Sequence, residues 1–93
     1  MAVTVKLPAQ LRAAANGQAE TSASGDTVRD VLDGLCTEHP ELRDRLLDDG
    51  ADLRRFVNVF LRGEDIRFLS GIDTPVDDGD ELTILPAVAG GAR

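Results

Sequence analysis

Ninety-three residues allow one small domain. Acidic residues outnumber basic ones 17 to 10, for a formal charge of −7. This argues against nucleic acid and anionic membrane surfaces, which ask for a clustered Lys/Arg footprint, and favours a basic-faced protein partner.

The chain opens on Val3, Val5 and Leu7 alternating with Thr4 and Lys6, the period of a strand with one buried face. Pro8 removes a donor, and the segment to Gly17 reads as turn or loop, with Leu11 and the alanines able to add a helical turn. Gln18 to Ala23 alternates again and is expected as the second strand of a hairpin. Ser24-Gly25-Asp26 then turns into a helix capped by Thr27, with Asp30 three residues on as a variant capping box. Val28, Val31, Leu32, Leu35 and Cys36 form its apolar stripe. Pro40 should stop this helix near Glu38 and open a second one through Leu42, Leu46 and Leu47.

Phe56 to Leu61 is a β-rich run expected as the central strand. Arg62-Gly63-Glu64-Asp65 should turn it towards an edge strand at Ile66-Arg67-Phe68. After turn clusters at Thr74-Pro75 and Asp77-Asp78-Gly79-Asp80, Glu81 to Leu85 is the last strand, and Pro86 ends its ladder. A hairpin, a crossing helix and a central pairing of the first and last strands give an α+β fold. The expected form is a β-grasp, the ubiquitin-like roll, with a mixed sheet of four to five strands and one main helix packed on it. Its core should hold Val3, Val5, Val28, Val31, Leu32, Leu35, Val57, Val59, Leu82 and Ile84. The domain should span residues 1–86, with residues 87–93 as a flexible tail.

Cys36 is the single cysteine, so an internal disulfide is excluded and a reducing compartment expected. The N-terminus lacks the pattern of a signal peptide, and no apolar run approaches a membrane span. The chain is expected to be cytoplasmic and monomeric when alone, with no nucleic acid and no membrane among its partners.

The run DGDELTILPAVAGG, Asp78 to Gly91, resembles the C-terminal signature of the ThiS/MoaD sulfur-carrier family. In that signature an acidic glycine turn, a last strand and a proline lead to Gly-Gly. RFVNVFLRGEDIRF, Arg55 to Phe68, with TPVDDGDELTILPAVAGG, is similar to the actinobacterial branch that supplies sulfur for cysteine synthesis. The resemblance implies a carrier rather than an enzyme. It implies an E1-like adenylating and sulfurtransferase partner that uses ATP to convert the Gly91 carboxylate to an acyl-adenylate and then a thiocarboxylate. A sulfur-accepting synthase, PLP-dependent in the cysteine branch, would consume that product. No cofactor is expected on the chain itself; ATP belongs to the adenylating partner.

The physics of the tail fits that chemistry. Gly90 and Gly91 lack a Cβ and suit a narrow channel. The five residues Ala87, Val88, Ala89, Gly90 and Gly91 span at most about 17–18 Å. That reach places a carboxylate in a partner's channel while the body stays outside. Ala92 and Arg93 follow Gly91 and depart from the family pattern. They are expected to be a propeptide removed by cleavage between Gly91 and Ala92, with a JAMM-type zinc metalloprotease as the implied agent. Residues left by cloning, or a chain that is never activated, are the alternatives.

No catalytic or metal-ligating set is expected within the chain. Cys36 lies on an apolar stripe and reads as core. His39 has no convergent partners and reads, with Glu38 and Glu41, as a solvated helix end. Asp77, Asp78, Asp80 and Glu81 lack calcium-loop spacing and read as a turn with a solvated acidic rim. Asp78 and Asp80 on that rim could steer a basic partner. On the run 56–61, Asn58 marks the wetter face, and Phe56 and Phe60 on it are expected to dock the adenylating enzyme. Two other function classes stay open: a ubiquitin-like modifier conjugated through Gly91, and a passive β-grasp binding module.

Overall fold

The computed structural model describes residues 2–49, 52–54 and 57–86. Strand β1 (Ala2–Lys6) turns Val3 and Val5 inward and pairs antiparallel with β2 (Glu20–Ser24). The observed β2 starts two residues later than the expected Gln18–Ala23 and runs to Ser24. Between them, the expected loop contains a short helix α1 (Ala9–Arg12) and a 3-10 turn at Ala13–Ala15. The alanines favour helical geometry, and Asn16 (φ 58°) with Gly17 (φ 81°) ends it in left-handed backbone.

Helix α2 (Val28–Glu38) is capped as its sequence asks. Thr27 Oγ1 accepts from the Asp30 N–H at 3.3 Å. The Asp30 carboxylate reaches back to the Asp26 N–H, also at 3.3 Å, so the box closes one residue before the cap. The whole stripe from Val28 to Cys36 is buried. Helix α3 (Pro40–Leu46) follows after one residue, His39. His39 is only 9% exposed. The expected solvated helix end therefore holds for Glu38 and Glu41 but not for the imidazole between them. Leu47 lies outside α3 in extended backbone and bridges Leu53, which shortens the expected helix by one residue.

Strands β3 (Val57–Leu61), β4 (Glu64–Asp65) and β5 (Glu81–Pro86) complete a five-stranded sheet in the order β2-β1-β5-β3-β4. The middle strand is β5, not β3: β3 lies between β5 and the short edge β4. Strand β1 pairs parallel with β5, and β3 antiparallel with it. The expected edge strand at Ile66–Phe68 is a 3-10 turn. The Asp65 carboxylate accepts from the Arg67 N–H at 2.9 Å and curls the chain, which buries Ile66 and leaves Phe68 85% exposed.

Every residue of the expected core is buried, and these side chains join Leu42, Leu46, Leu61 and Ile66 in one cluster. This is the β-grasp arrangement. Leu35 is fully buried on α2, so Leu35→Ala should lower unfolding free energy by about 2–5 kcal/mol. Urea denaturation of the two chains checks this.

Candidate functional site

Strand β5 carries the tail and organises the candidate site from both of its ends. At its start, β3 and β4 are joined by Arg62 (φ 52°) and Gly63 (φ 86°), the paired positive φ of a two-residue hairpin turn. The Arg62 guanidinium is thereby aimed at Asp80, donating to Oδ1 at 3.0 Å and Oδ2 at 2.9 Å, with Asp77 at 3.7 Å. Asp80 Oδ2 also accepts from the Asp77 N–H at 2.7 Å, and Asp78 Oδ1 accepts from the Ala2 N–H at 2.9 Å. The Asp80 side chain is 11% exposed. The solvated rim therefore consists of Asp77, Asp78 and Glu81, while Asp80 is turned inward and occupied by Arg62.

The outward face of the sheet carries the second part. Phe60 stands opposite Thr83, and Asn58 opposite Leu85, so Phe60 and Leu85 are diagonal neighbours on that face. Val57, Val59 and Leu61 are buried, whereas Asn58 and Phe60 are half-buried, which makes this the wetter face. Leu85 is 43% exposed. Arg67 holds Asn58 in place, donating to its Oδ1 at 2.8 Å and to the Arg54 carbonyl at 3.0 Å. Phe56, the other expected docking aromatic, lies outside the described residues, as do Ala87, Val88, Ala89, Gly90, Gly91 and Ala92.

The structure thus separates residues that the sequence grouped. The acidic turn stands at the start of β5 and the tail leaves from its end, about 17 Å away by the rise of a six-residue strand. Phe60 and Leu85 lie between them, towards the tail. Leu85 was missed because it shares the outward face of its strand with the polar Glu81 and Thr83; its place two residues on from Thr83 was the available signal. Arg62 was missed because a turn residue's charge shows no partner in the sequence.

Elsewhere, Cys36 is buried, and burial pushes its thiol above the ordinary range; Arg43 offsets part of this and Asp33 adds to it. Among the described residues no group of three His, Cys, Asp or Glu side chains could hold a metal ion. No described helix is long and apolar enough to cross a membrane.

The ThiS family matches residues 5–91. The chain belongs to that family. It is 46% identical over 93 residues to the sulfur carrier protein CysO of Mycobacterium tuberculosis, covering 98% of this chain and 100% of the relative. A chain of the Amycolatopsis orientalis BexX/CysO complex is 44% identical, with a TM-score of 0.88 over 96% of this chain and 99% of that one. The small archaeal modifier protein 1 of Methanosarcina acetivorans is 40% identical, with a TM-score of 0.86 over 97% and 96%. This ThiS-family chain shares the β-grasp body of those proteins.

Arg62 and Asp80 tie the hairpin turn to the acidic turn, so Asp80→Ala should cost about 1–3 kcal/mol of stability. Chemical denaturation measures it; a loss near zero would leave Asp80 free for a partner instead.

Proposed function

We propose that this chain acts as a protein co-substrate whose Gly91 carbonyl carries sulfur for cysteine biosynthesis. The chain is a sulfur carrier rather than an enzyme, as its family and its relatives of the same length are. The observation that carries the Gly91 assignment is that the family match runs up to residue 91, five residues beyond the end of β5.

The chemistry follows from what a carboxylate lacks. It is a poor electrophile until an oxygen is converted to a leaving group. An E1-like enzyme would let a Gly91 carboxylate oxygen attack the α-phosphorus of ATP, with pyrophosphate departing. A sulfide-level donor then displaces AMP and leaves –C(=O)S⁻ on Gly91, which a synthase consumes. In this scheme the chain supplies the carboxylate and the docking surface, and the enzyme supplies ATP binding and acid-base groups. While Ala92-Arg93 is attached, the Gly91 carbonyl is an amide and Arg93 presents a bulky cation that a glycine-sized channel excludes. Cleavage after Gly91 by a JAMM-type zinc metalloprotease would release the glycine acid. Phe60 and Leu85 would meet the adenylating enzyme, with Phe56 beside them and Asp78 on the exposed rim. Asp80 would act through the turn's shape. A synthase partner is supported by the relative found in a complex with BexX.

A second reading, conjugation through Gly91 to a lysine amine, is favoured by the likeness to an archaeal modifier protein. Product mass separates the two. Sulfur carriage replaces one oxygen by sulfur on the free chain, whereas conjugation adds the chain to another protein.

ATP–pyrophosphate exchange with the host's adenylating enzyme should be supported by a chain ending at Gly91 and not by the 93-residue chain. Equal exchange would remove the propeptide, and no exchange with either would count against the carrier itself. Phe60→Ala should weaken the complex by more than about 1 kcal/mol while the melting temperature stays near its starting value. Calorimetric titration and a thermal melt check both halves.

A further inference from the structure

A cavity of about 310 Å³ opens at the root of the tail, on the helix side of the sheet. Val57 and Ile84 line it, Leu11 of α1 walls it, and Arg45 of α3 and Arg54 stand with Gln10 and Asp44 around them. Val57 is also the register partner of Pro86, the last residue before the tail. We propose that this cavity is a second docking point for the tail-activating enzyme, receiving one large apolar side chain of that enzyme with a neighbouring carboxylate against Arg45 and Arg54.

The proposal rests on the carrier reading above and adds where the enzyme grips the body. Reach is the first argument. Gly91 is the fifth residue after Pro86, at most about 17–18 Å of chain away. An enzyme that encloses the Gly91 carbonyl must therefore rest against this end of the sheet. Phe60 and Leu85 offer a contact on the outward face, and the cavity offers one on the opposite face of the same strands.

Charge is the second argument. The chain carries −7 overall, yet among the described residues the cavity is lined by two arginines, Arg45 and Arg54, against one acidic residue, Asp44. Arg54 is already positioned: its Nε donates to the Asp44 carbonyl at 2.7 Å, its N–H donates to the Leu46 carbonyl at 2.9 Å, and its carbonyl accepts from Arg67. An apolar floor beneath a fixed guanidinium suits an apolar side chain followed by an acid, and ordering such a site costs little on binding. The acidic rim at the other end of β5 would repel the same carboxylate, which sets the orientation of approach.

The test measures binding of the Gly91-ending chain to the host's adenylating enzyme by calorimetry. Arg45→Glu alters an exposed residue, and Gln10→Trp places bulk over the opening. Each should weaken binding by about tenfold or more with an unchanged thermal melt. Arg43→Glu makes the same charge change on the same helix away from the cavity and should change affinity by less than about twofold. If Arg45→Glu and Gln10→Trp bind as the unsubstituted chain does while Phe60→Ala binds weakly, the cavity proposal is overturned and the carrier reading stands. If Arg43→Glu weakens binding as much as Arg45→Glu does, the effect is general charge, and the proposal is again overturned. If the unsubstituted chain does not bind at all, both fall together.

Discussion

The parallel pairing of β1 with β5 is the contact on which the remaining architecture depends. It sets Thr4, Val5 and Lys6 beside Glu81, Leu82 and Thr83, and so joins residues from opposite ends of the chain. A parallel pair cannot be closed by a tight turn, so everything between the two strands serves as their connection. Helix α2 covers the inner face, where Val3, Val5, Leu82 and Ile84 are buried. The return segment is tied to the start of α2, with the Val28 N–H donating to Thr74 at 3.0 Å and the Val76 N–H to Asp26 at 2.9 Å. Strands β3 and β4 then extend the sheet from β5. Without β5 in the middle the β3–β4 hairpin would have no link to β1 and β2.

What could be read from the sequence follows how local each determinant is. The β1 alternation and the α2 stripe with its Thr27 cap are local patterns, and both elements form where expected. Ile66–Phe68 misled because its apolar content suits a strand, while the Asp65 side chain, one residue earlier, offers the backbone a tighter hydrogen bond. Asp80 misled for the opposite reason: its partner, Arg62, lies 18 residues away, and sequence shows a charge without showing its counter-charge. The hydrophobicity of residues 57–61 reports burial and not strand order, so it does not show that β5 is the middle strand. In the site, Phe60 and the wetter face were legible from Asn58. The nearness of Leu85 to Phe60 on one face, and the tail-root cavity on the other, arise only through tertiary packing. Gly91 was legible as a motif and lies outside the described residues.

The body supports its proposed task mainly by being inert and well anchored. Cys36, the single thiol, is buried in the core with its ionisation opposed by burial, so it does not compete as a sulfur nucleophile. Strand β5 is held by β1 along Glu81–Thr83 and by β3 from Leu82 to the register of Val57 with Pro86, so the strand that leads into the tail ends at a defined point. An acidic turn fastened by Arg62 holds the far end of that strand.

The parallel geometry also has a mechanical consequence. Ala2 begins β1 at one end of the pair, and Pro86 closes β5 at the other. Tension applied between those two points slides the strands past each other lengthwise. The evenly spaced bonds of a parallel ladder then carry the load together in shear, whereas a hairpin such as β1–β2 pulled apart at its open end would yield one bond at a time. Resistance to such pulling is set by the unfolding barrier rather than by equilibrium stability. A partner hauling on the tail while the N-terminal strand is held would therefore load the β1–β5 ladder in shear, with its bonds sharing the force.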